Sequence, residues 1–397
     1  MIKKSFIYEI FNAAYMQRWN DKISPVELRE LDKQAHKMII AYVFGKFEEE
    51  SGNPDFDWIQ LIEGGIFELL QRIVVTDLRP QLFYKIKSDK SKYRELNNFV
   101  IKQFKQILLP IEDGIFLERF KDYLFRKSDN INNKILNAAH FYTSSWEFRI
   151  IKQTNPDGYE INEIEKDLIK KQELNYDLIG MQKLTLSNKL KNFVDLCGEL
   201  RFQNRWSHLH RIPRTSVLGH MLIVAVLTYL YSLELKACKR RCINNFYSGL
   251  FHDLPEVLTR DIINPLKSSI PGLDRIIKIY EKEEMKKIYS LIPKTWHREM
   301  RVFTEIEFTN LIISNSRLKR VSSEDLCKKY NSNKFNPRDG RLVEFSDKLA
   351  AFVEAHLAIK NGARNNEFKD AKESLITKYK SFKIAGQNLG EIYNEFV

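Results

Sequence analysis

Residues 246–266 read FYSGLFHDLPEVLTRDIINPL. An apolar stretch runs into an adjacent His252–Asp253 pair, and Pro255 follows. Proline cannot donate a helical hydrogen bond but is comfortable in the first turn of a helix. The stretch therefore predicts one helix that stops near the pair and a second that starts just beyond it. That junction presents an imidazole and a carboxylate side by side, outside the regular helical ladder. Both are good ligands for a divalent metal. A His-Asp dipeptide alone is a weak signal, and its weight comes from its surroundings.

Upstream, His220 opens the apolar run Met221–Leu233. A lone histidine there is more often a cap or a core residue than a ligand. Downstream, Asp347 sits in the segment Phe345–Ala351, inside an otherwise apolar helical pattern. An unpaired carboxylate in such a place is costly to bury, and a metal or a cationic partner removes the cost. His220, His252, Asp253 and Asp347 together offer two imidazoles and two carboxylates. That set suits Mn, Co, Fe or Mg-like ions with water in the open positions, rather than a closed cysteine site for zinc.

The order His … His-Asp … Asp resembles the HD-domain metal-dependent phosphohydrolase superfamily. Residues 205–220 read RWSHLHRIPRTSVLGH, and the His-Asp pair is followed, after one Leu, by PEVLTRD. An Arg-Trp pair before the first histidine, an Arg-Thr between them, and HD-x-x-E-V-L-T-x-D resemble the YfbR-like 5′-deoxynucleotidase branch. The resemblance spans about residues 187–362. It implies that His220, His252, Asp253 and Asp347 hold one divalent ion (Mn, Co, Fe, Mg or Zn). It makes Glu256 and Asp261 the catalytic carboxylates, with Asp261 also lining the nucleotide site, and sets Arg205, Trp206, Arg214 and Thr215 at the substrate. Outside the motif, Arg205–Trp206 would pass for a packed Trp beside a surface Arg. The sequence departs from the branch at Gly219, where an acidic residue is usual, and in Ser207–His210, whose His208 and His210 are either extra ligands or bystanders.

The chemistry fits these residue types. A divalent ion lowers the pKa of bound water and polarises a phosphoryl oxygen. Glu256 is suited to protonating a leaving ribose oxygen or ordering water. The planar fork of Arg205 matches phosphate, and Trp206 can pack on sugar or base.

The rest of the chain fits an all-α fold. Among 397 residues there are 15 Gly and 11 Pro, about half the usual share, which argues against loop-dense β architectures. Apolar spacings of three and four predict helices over 32–47, 93–109, 131–151, 187–200, 220–235, 273–292 and 341–359, with N-caps at Asp32 and Ser187. Thr154–Gly158 is the clearest turn in the middle of the chain, and Asn331–Gly340 is a second loop candidate. The longest apolar run, Met221–Leu233, is shorter than the roughly 18 residues of a membrane span and implies a buried core helix rather than a membrane partner. No secretory leader is evident, since Glu9 interrupts the first apolar patch. The four cysteines form no CxxC pair, so a reducing, cytoplasmic setting with free thiols is expected. The net charge of +12 concerns anionic partners rather than fold. It motivates a non-enzymatic alternative, a nucleotide- or nucleic-acid-binding regulatory protein, although no basic arm is present.

Compared with itself, the chain repeats. At an offset of 184, Gly65–Asp77 lies over Gly249–Asp261 without a gap and His36 falls on His220. Arg18–Trp19 falls on Arg205–Trp206 at an offset of 187, and His140 and Glu147 fall on Asp347 and Glu354. The N-terminal half thus resembles a degenerate copy: Leu69 stands at a metal position and Arg72 at that of the catalytic carboxylate. The expectation is two HD-type helical bundles in one chain, a pseudo-dimeric internal duplication. Residues 1–155 form the degenerate domain, 156–186 a linker or helical connection, and 187–397 the active domain, the whole being a monomer or homo-oligomer. The N-terminal half is then either a structural partner or a regulatory nucleotide site using Arg18, Trp19 and Arg72. The expected function is removal of the 5′-phosphate of (deoxy)nucleoside monophosphates. The enzymatic alternative is a phosphodiesterase or triphosphohydrolase acting on a cyclic dinucleotide, alarmone or dNTP, which would use the same ligands.

Overall fold

A computed structural model of the chain describes residues 1–76, 78–126, 130–260, 270 and 272–396. The architecture is all-α. The seven predicted helices are present as Glu30–Ser51, Lys90–Leu108, Ile131–Thr154, Asn188–Glu199, Val217–Glu234, Leu273–Leu291 and Gly340–Lys360. Side chains with a free acceptor start several of them: Ser187 accepts from the Leu190 amide, Ser216 from that of Gly219, and Asp339 from that of Leu342. The N-cap expected at Asp32 is not used. The helix begins at Glu30, and Asp32, buried in its first turn, accepts instead from Ser216 Oγ at 2.5 Å.

Strand structure among the described residues is confined to three two-stranded antiparallel pairs, Gln17–Arg18 with Leu28–Arg29, Leu311–Ser314 with Arg317–Arg320, and Lys383–Ile384 with Gln387–Asn388. The polar stretch after Thr154 turns the chain into two further helices, Ile161–Glu173 and Ile179–Leu186.

One continuous apolar cluster runs through the molecule, from Phe6 and Ile39 in the N-terminal half to Leu222, Phe352 and Phe396 in the C-terminal half. Burial of this scale is the dominant stabilising term for such a helical assembly. The helix Val217–Glu234 is long and apolar enough to cross a membrane, yet 89% of it is buried inside the protein. It packs against Glu30–Ser51, Lys239–Phe251 and Gly340–Lys360. Close approach to Lys239–Phe251 requires Gly249: a Cβ there would stand 2.7 Å from Ala225 Cα.

Several local features recur in the two halves at a common spacing. Gln17 pairs with Arg29, and Asn204 with Ser216, two pairs that lie 187 residues apart. Trp19 and Trp206, again 187 apart, both have φ 56°, and the two long helices begin at Glu30 and Val217. At that offset Lys33, not His36, takes the place of His220. His36 is fully buried and turned elsewhere, with Nε2 2.9 Å from the Val194 carbonyl and Nδ1 3.0 Å from Arg201 Nη2. The offset of 184 holds only further on: Gly65 and Gly249 follow the starts of the two long helices by 35 and 32 positions, so the first half carries three more residues in that interval.

Candidate metal centre

The four proposed ligands come from three elements. His220 lies in the first turn of Val217–Glu234 and is fully buried. His252 follows the last residue of Lys239–Phe251, as expected, and Asp253 comes next, before the short helix Glu256–Thr259. Asp347 projects from the middle of Gly340–Lys360. Ligand atoms of His220, His252 and Asp347 all lie within 4.8 Å of one another. His220 Nε2 is 3.1 Å from Asp347 Oδ1 and 3.8 Å from Asp253 Oδ2. His252 Nε2 is 3.1 Å from Asp253 Oδ2 and 4.0 Å from Asp347 Oδ1.

The donor set fits a divalent cation. His252 Nδ1 lies 2.8 Å from the Gly249 carbonyl, which requires the proton on Nδ1, so that in the neutral ring Nε2 carries the lone pair. That Nε2 is buried and makes no well-directed hydrogen bond, although Asp253 Oδ2 stands 3.1 Å away. A ring nitrogen held by a backbone carbonyl, with the other aimed at carboxylates, is the usual arrangement behind a metal ligand.

Electrostatics agree. Burial disfavours charge on His252, but Asp253 and then Asp347 outweigh it and raise the ring to about 8. Burial likewise works against charge on the two aspartates. His252 and His220 nevertheless hold Asp253 low, and Lys348 followed by His220 hold Asp347 well below the usual carboxylate range. The pocket thus favours positive charge among its carboxylates.

A further carboxylate, missed at the sequence level, organises the surroundings. Glu354 is fully buried seven residues beyond Asp347 on the same helix. Its Oε2 accepts from Arg205 Nε at 3.1 Å and Trp206 Nε1 at 2.9 Å, and its Oε1 accepts from Thr215 Oγ at 2.7 Å. Oε1 also faces His220 Nδ1 at 3.4 Å. Burial raises its carboxyl, but Arg205 and then Arg211 hold it well below the ordinary range. The signal was present in the sequence: an acidic residue two helical turns after Asp347 on an apolar helix falls on nearly the same face. Lys348, whose Nζ is 2.8 Å from Asp347 Oδ2, was missed as well.

The remaining expected residues divide. Arg205 Nη1 is 3.5 Å from Asp253 Oδ2, which brings the guanidinium to the cluster. The Trp206 ring packs on Phe368, with centroids 5.1 Å apart. Thr215 is buried and gives its hydroxyl to Glu354, so it positions that carboxylate rather than facing open space. The Arg214 side chain is exposed, and its carbonyl accepts from Arg29. Glu256 opens the short helix, its amide bonded to the Asp253 carbonyl at 3.0 Å. Asp261 lies outside the described residues. His208 bonds to Glu367 at 2.7 Å and His210 is exposed; neither belongs to the cluster. Gly219 also has a physical reason: a Cβ there would stand 2.8 Å from Asp32 Oδ1, so the other half of the chain fills the space a side chain would need.

Comparison with known proteins agrees with this geometry. Residues 197–376 match the model of the HD domain family. A protein named 5′-deoxynucleotidase from Pasteurella multocida is 24% identical over 205 residues, which cover 49% of this chain and 87% of that protein. A 5′-deoxynucleotidase from Yersinia pestis is 22% identical over 193 residues, covering 47% and 82% respectively. The part of this chain that carries His220, His252, Asp253 and Asp347 thus matches the HD domain family and is similar to proteins named 5′-deoxynucleotidase.

Proposed function

We propose that the C-terminal half is a divalent-metal-dependent phosphohydrolase that removes the 5′-phosphate of deoxynucleoside monophosphates. The observation that carries this reading is the convergence of His220, His252 and Asp347 within 4.8 Å, with Arg205 held 3.5 Å from Asp253. The names of the related proteins support the substrate class.

His220, His252, Asp253 and Asp347 would hold the ion, which when bound lowers the pKa of water and neutralises charge on the phosphoryl oxygens. Arg205 contributes the phosphate-binding fork. Its Nε is tied to Glu354, which fixes the plane of the guanidinium and directs Nη1 toward Asp253. Trp206, fixed by the same carboxylate and by Phe368, forms a flat apolar wall for sugar or base. Glu256, three residues beyond Asp253, delivers the proton to the departing 5′-oxygen.

The test is phosphate release from the four deoxynucleoside monophosphates and their ribonucleotide counterparts, with Mn or Co loaded and the metal content measured. Release that is faster for the deoxy series supports the reading. No release from any of them with metal bound would sink it.

A further inference from the structure

The N-terminal half contains a cavity of about 1950 Å³. Side chains from the helices Glu30–Ser51, Trp58–Val75, Lys90–Leu108 and Ile131–Thr154 line it. Its floor matches the metal centre position by position. Lys33 takes the place of His220, Glu68 and Leu69 those of His252 and Asp253, and His140 that of Asp347. Lys33 Nζ lies 2.8 Å from His140 Nδ1, where His220 Nε2 lies 3.1 Å from Asp347 Oδ1. Glu147 accepts from Arg18 Nε at 2.8 Å and Trp19 Nε1 at 3.1 Å, repeating the bonds of Glu354 to Arg205 and Trp206.

The chemistry has changed sign. Leu69 cannot ligate, Glu68 is held by Lys37 at 2.8 Å and by Tyr123 at 3.0 Å, and a lysine stands where a metal-binding histidine would be. The nitrogen that stands in the metal's place is covalently part of the chain; burial first and Arg18 next hold its ammonium well below the ordinary lysine range, with Glu30 and Glu147 acting against them. Lys33 is only 2% exposed, and its hydrogen-bond partner is an imidazole, not a carboxylate. Burial and then Lys33 itself keep the His140 ring neutral. Eleven lysines and arginines line the cavity against six carboxylates. Arg18 and Arg72 are bound to Glu30, while Lys87, Arg94 and Arg79, the last 3.6 Å from Asp21, add cations along the wall. Independently, Gln34 lines the same cavity, is 4% exposed, and has its Oε1 buried without a hydrogen-bond partner.

We propose that this cavity binds a nucleoside phosphate as its anion, without metal and without hydrolysing it, with Lys33 in the metal's place. Lys33, Arg79 and Arg94 meet the phosphate. Gln34 Oε1 accepts from a hydroxyl or amino group of the ligand. Trp19, Tyr84 and Phe141, which also line the cavity, provide the surface for sugar and base. The phosphate part of this assignment stands on Lys33 and the lining charge. The nucleoside part rests on the reading of Arg205–Trp206 above, which Arg18–Trp19 repeats.

The experiment is calorimetric titration of the full chain carrying Asp253→Asn, in EDTA, with deoxynucleoside mono- and triphosphates and with inorganic phosphate. At least one nucleotide is expected to saturate a single site, more tightly than inorganic phosphate. Lys33→Met weakens it at least about tenfold, the size of one lost charge-assisted hydrogen bond. Arg94→Ala, at an exposed position that does not threaten folding, also weakens it and reduces its salt dependence. If only inorganic phosphate binds, the nucleoside assignment is overturned. If nothing binds, or if both variants bind as the parent does, the whole proposal is overturned. A chain that releases phosphate from nucleotides with Mn but binds nothing in EDTA overturns this inference alone; one that binds in EDTA but never releases phosphate overturns the proposed activity alone.

Discussion

Replacing Glu354 by Gln tests whether this carboxylate positions the metal centre or merely fills the core. Glu354 accepts from Arg205, Trp206 and Thr215 and faces His220 Nδ1 at 3.4 Å. Gln keeps the shape but loses the charge, and it points an NH2 group at one set of donors. Charge-assisted hydrogen bonds contribute about 1.5–3 kcal/mol each, and leaving a buried cation unpaired costs about 3–5 kcal/mol. With one amide oxygen still accepting, a loss of about 3 kcal/mol follows, or roughly 4 °C in melting temperature for a chain of 397 residues. Because His220 loses the carboxylate behind its ring, metal affinity should fall by about 10–100-fold. The assay pairs thermal melting with a metal titration against a competing chelator. The control is Glu147→Gln. Its carboxylate binds Arg18 at 2.8 Å, Trp19 at 3.1 Å and Arg201 at 2.9 Å, so the melting loss should be similar while metal affinity stays unchanged. Unaltered metal affinity in Glu354→Gln, or an equal drop in Glu147→Gln, would refute the positioning role.

Other outcomes follow from the same contacts. Asp253→Ala should abolish both metal binding and phosphate release, whereas Leu69→Ala, a core truncation costing about 2–5 kcal/mol, should leave metal content as it was; retained metal in Asp253→Ala contradicts the ligand assignment. Gly219→Ala would by helix propensity gain about 1 kcal/mol, but its Cβ would meet Asp32 Oδ1 at 2.8 Å, so calorimetry should show a lower melting temperature, and a higher one would disprove the contact. Burial raises Glu30 and Glu147, yet Arg18 first, aided by Lys33 for Glu30 and by Arg201 for Glu147, brings both below the ordinary 4.5. Carboxyls depressed in the folded state lend stability above their unfolded value and lose it as pH falls through the folded one. Melting temperature should therefore drop steeply below about pH 4.5, with a shallower acid limb in Glu147→Gln; parallel acid limbs would count against the assignment.

What could be read from the chain alone was whatever depends on residue type and short-range spacing. The helices were legible because apolar spacings of three and four specify which face is buried. His252 and Asp253 were legible because Pro255 ends the regular ladder beside them, and Asp347 because a carboxylate on an apolar helix needs a partner. Contacts between distant segments were not. That Lys33 rather than His36 occupies the position of His220 depends on where each long helix starts, and the three extra residues between Glu30 and Gly65 shift the frame only after that point. Glu354 could be placed on the face of Asp347, but its hold on Arg205, Trp206 and Thr215 exists only once that helix packs against the 204–216 segment. Gly219 looked like a departure until Asp32, 187 positions away, was seen to fill the space its side chain would need. Local sequence determines which groups are available and which face they take, because those are set by backbone geometry and polarity. Only the packed structure decides which charges meet, because a buried group takes its partner from whatever the fold brings within a few ångströms.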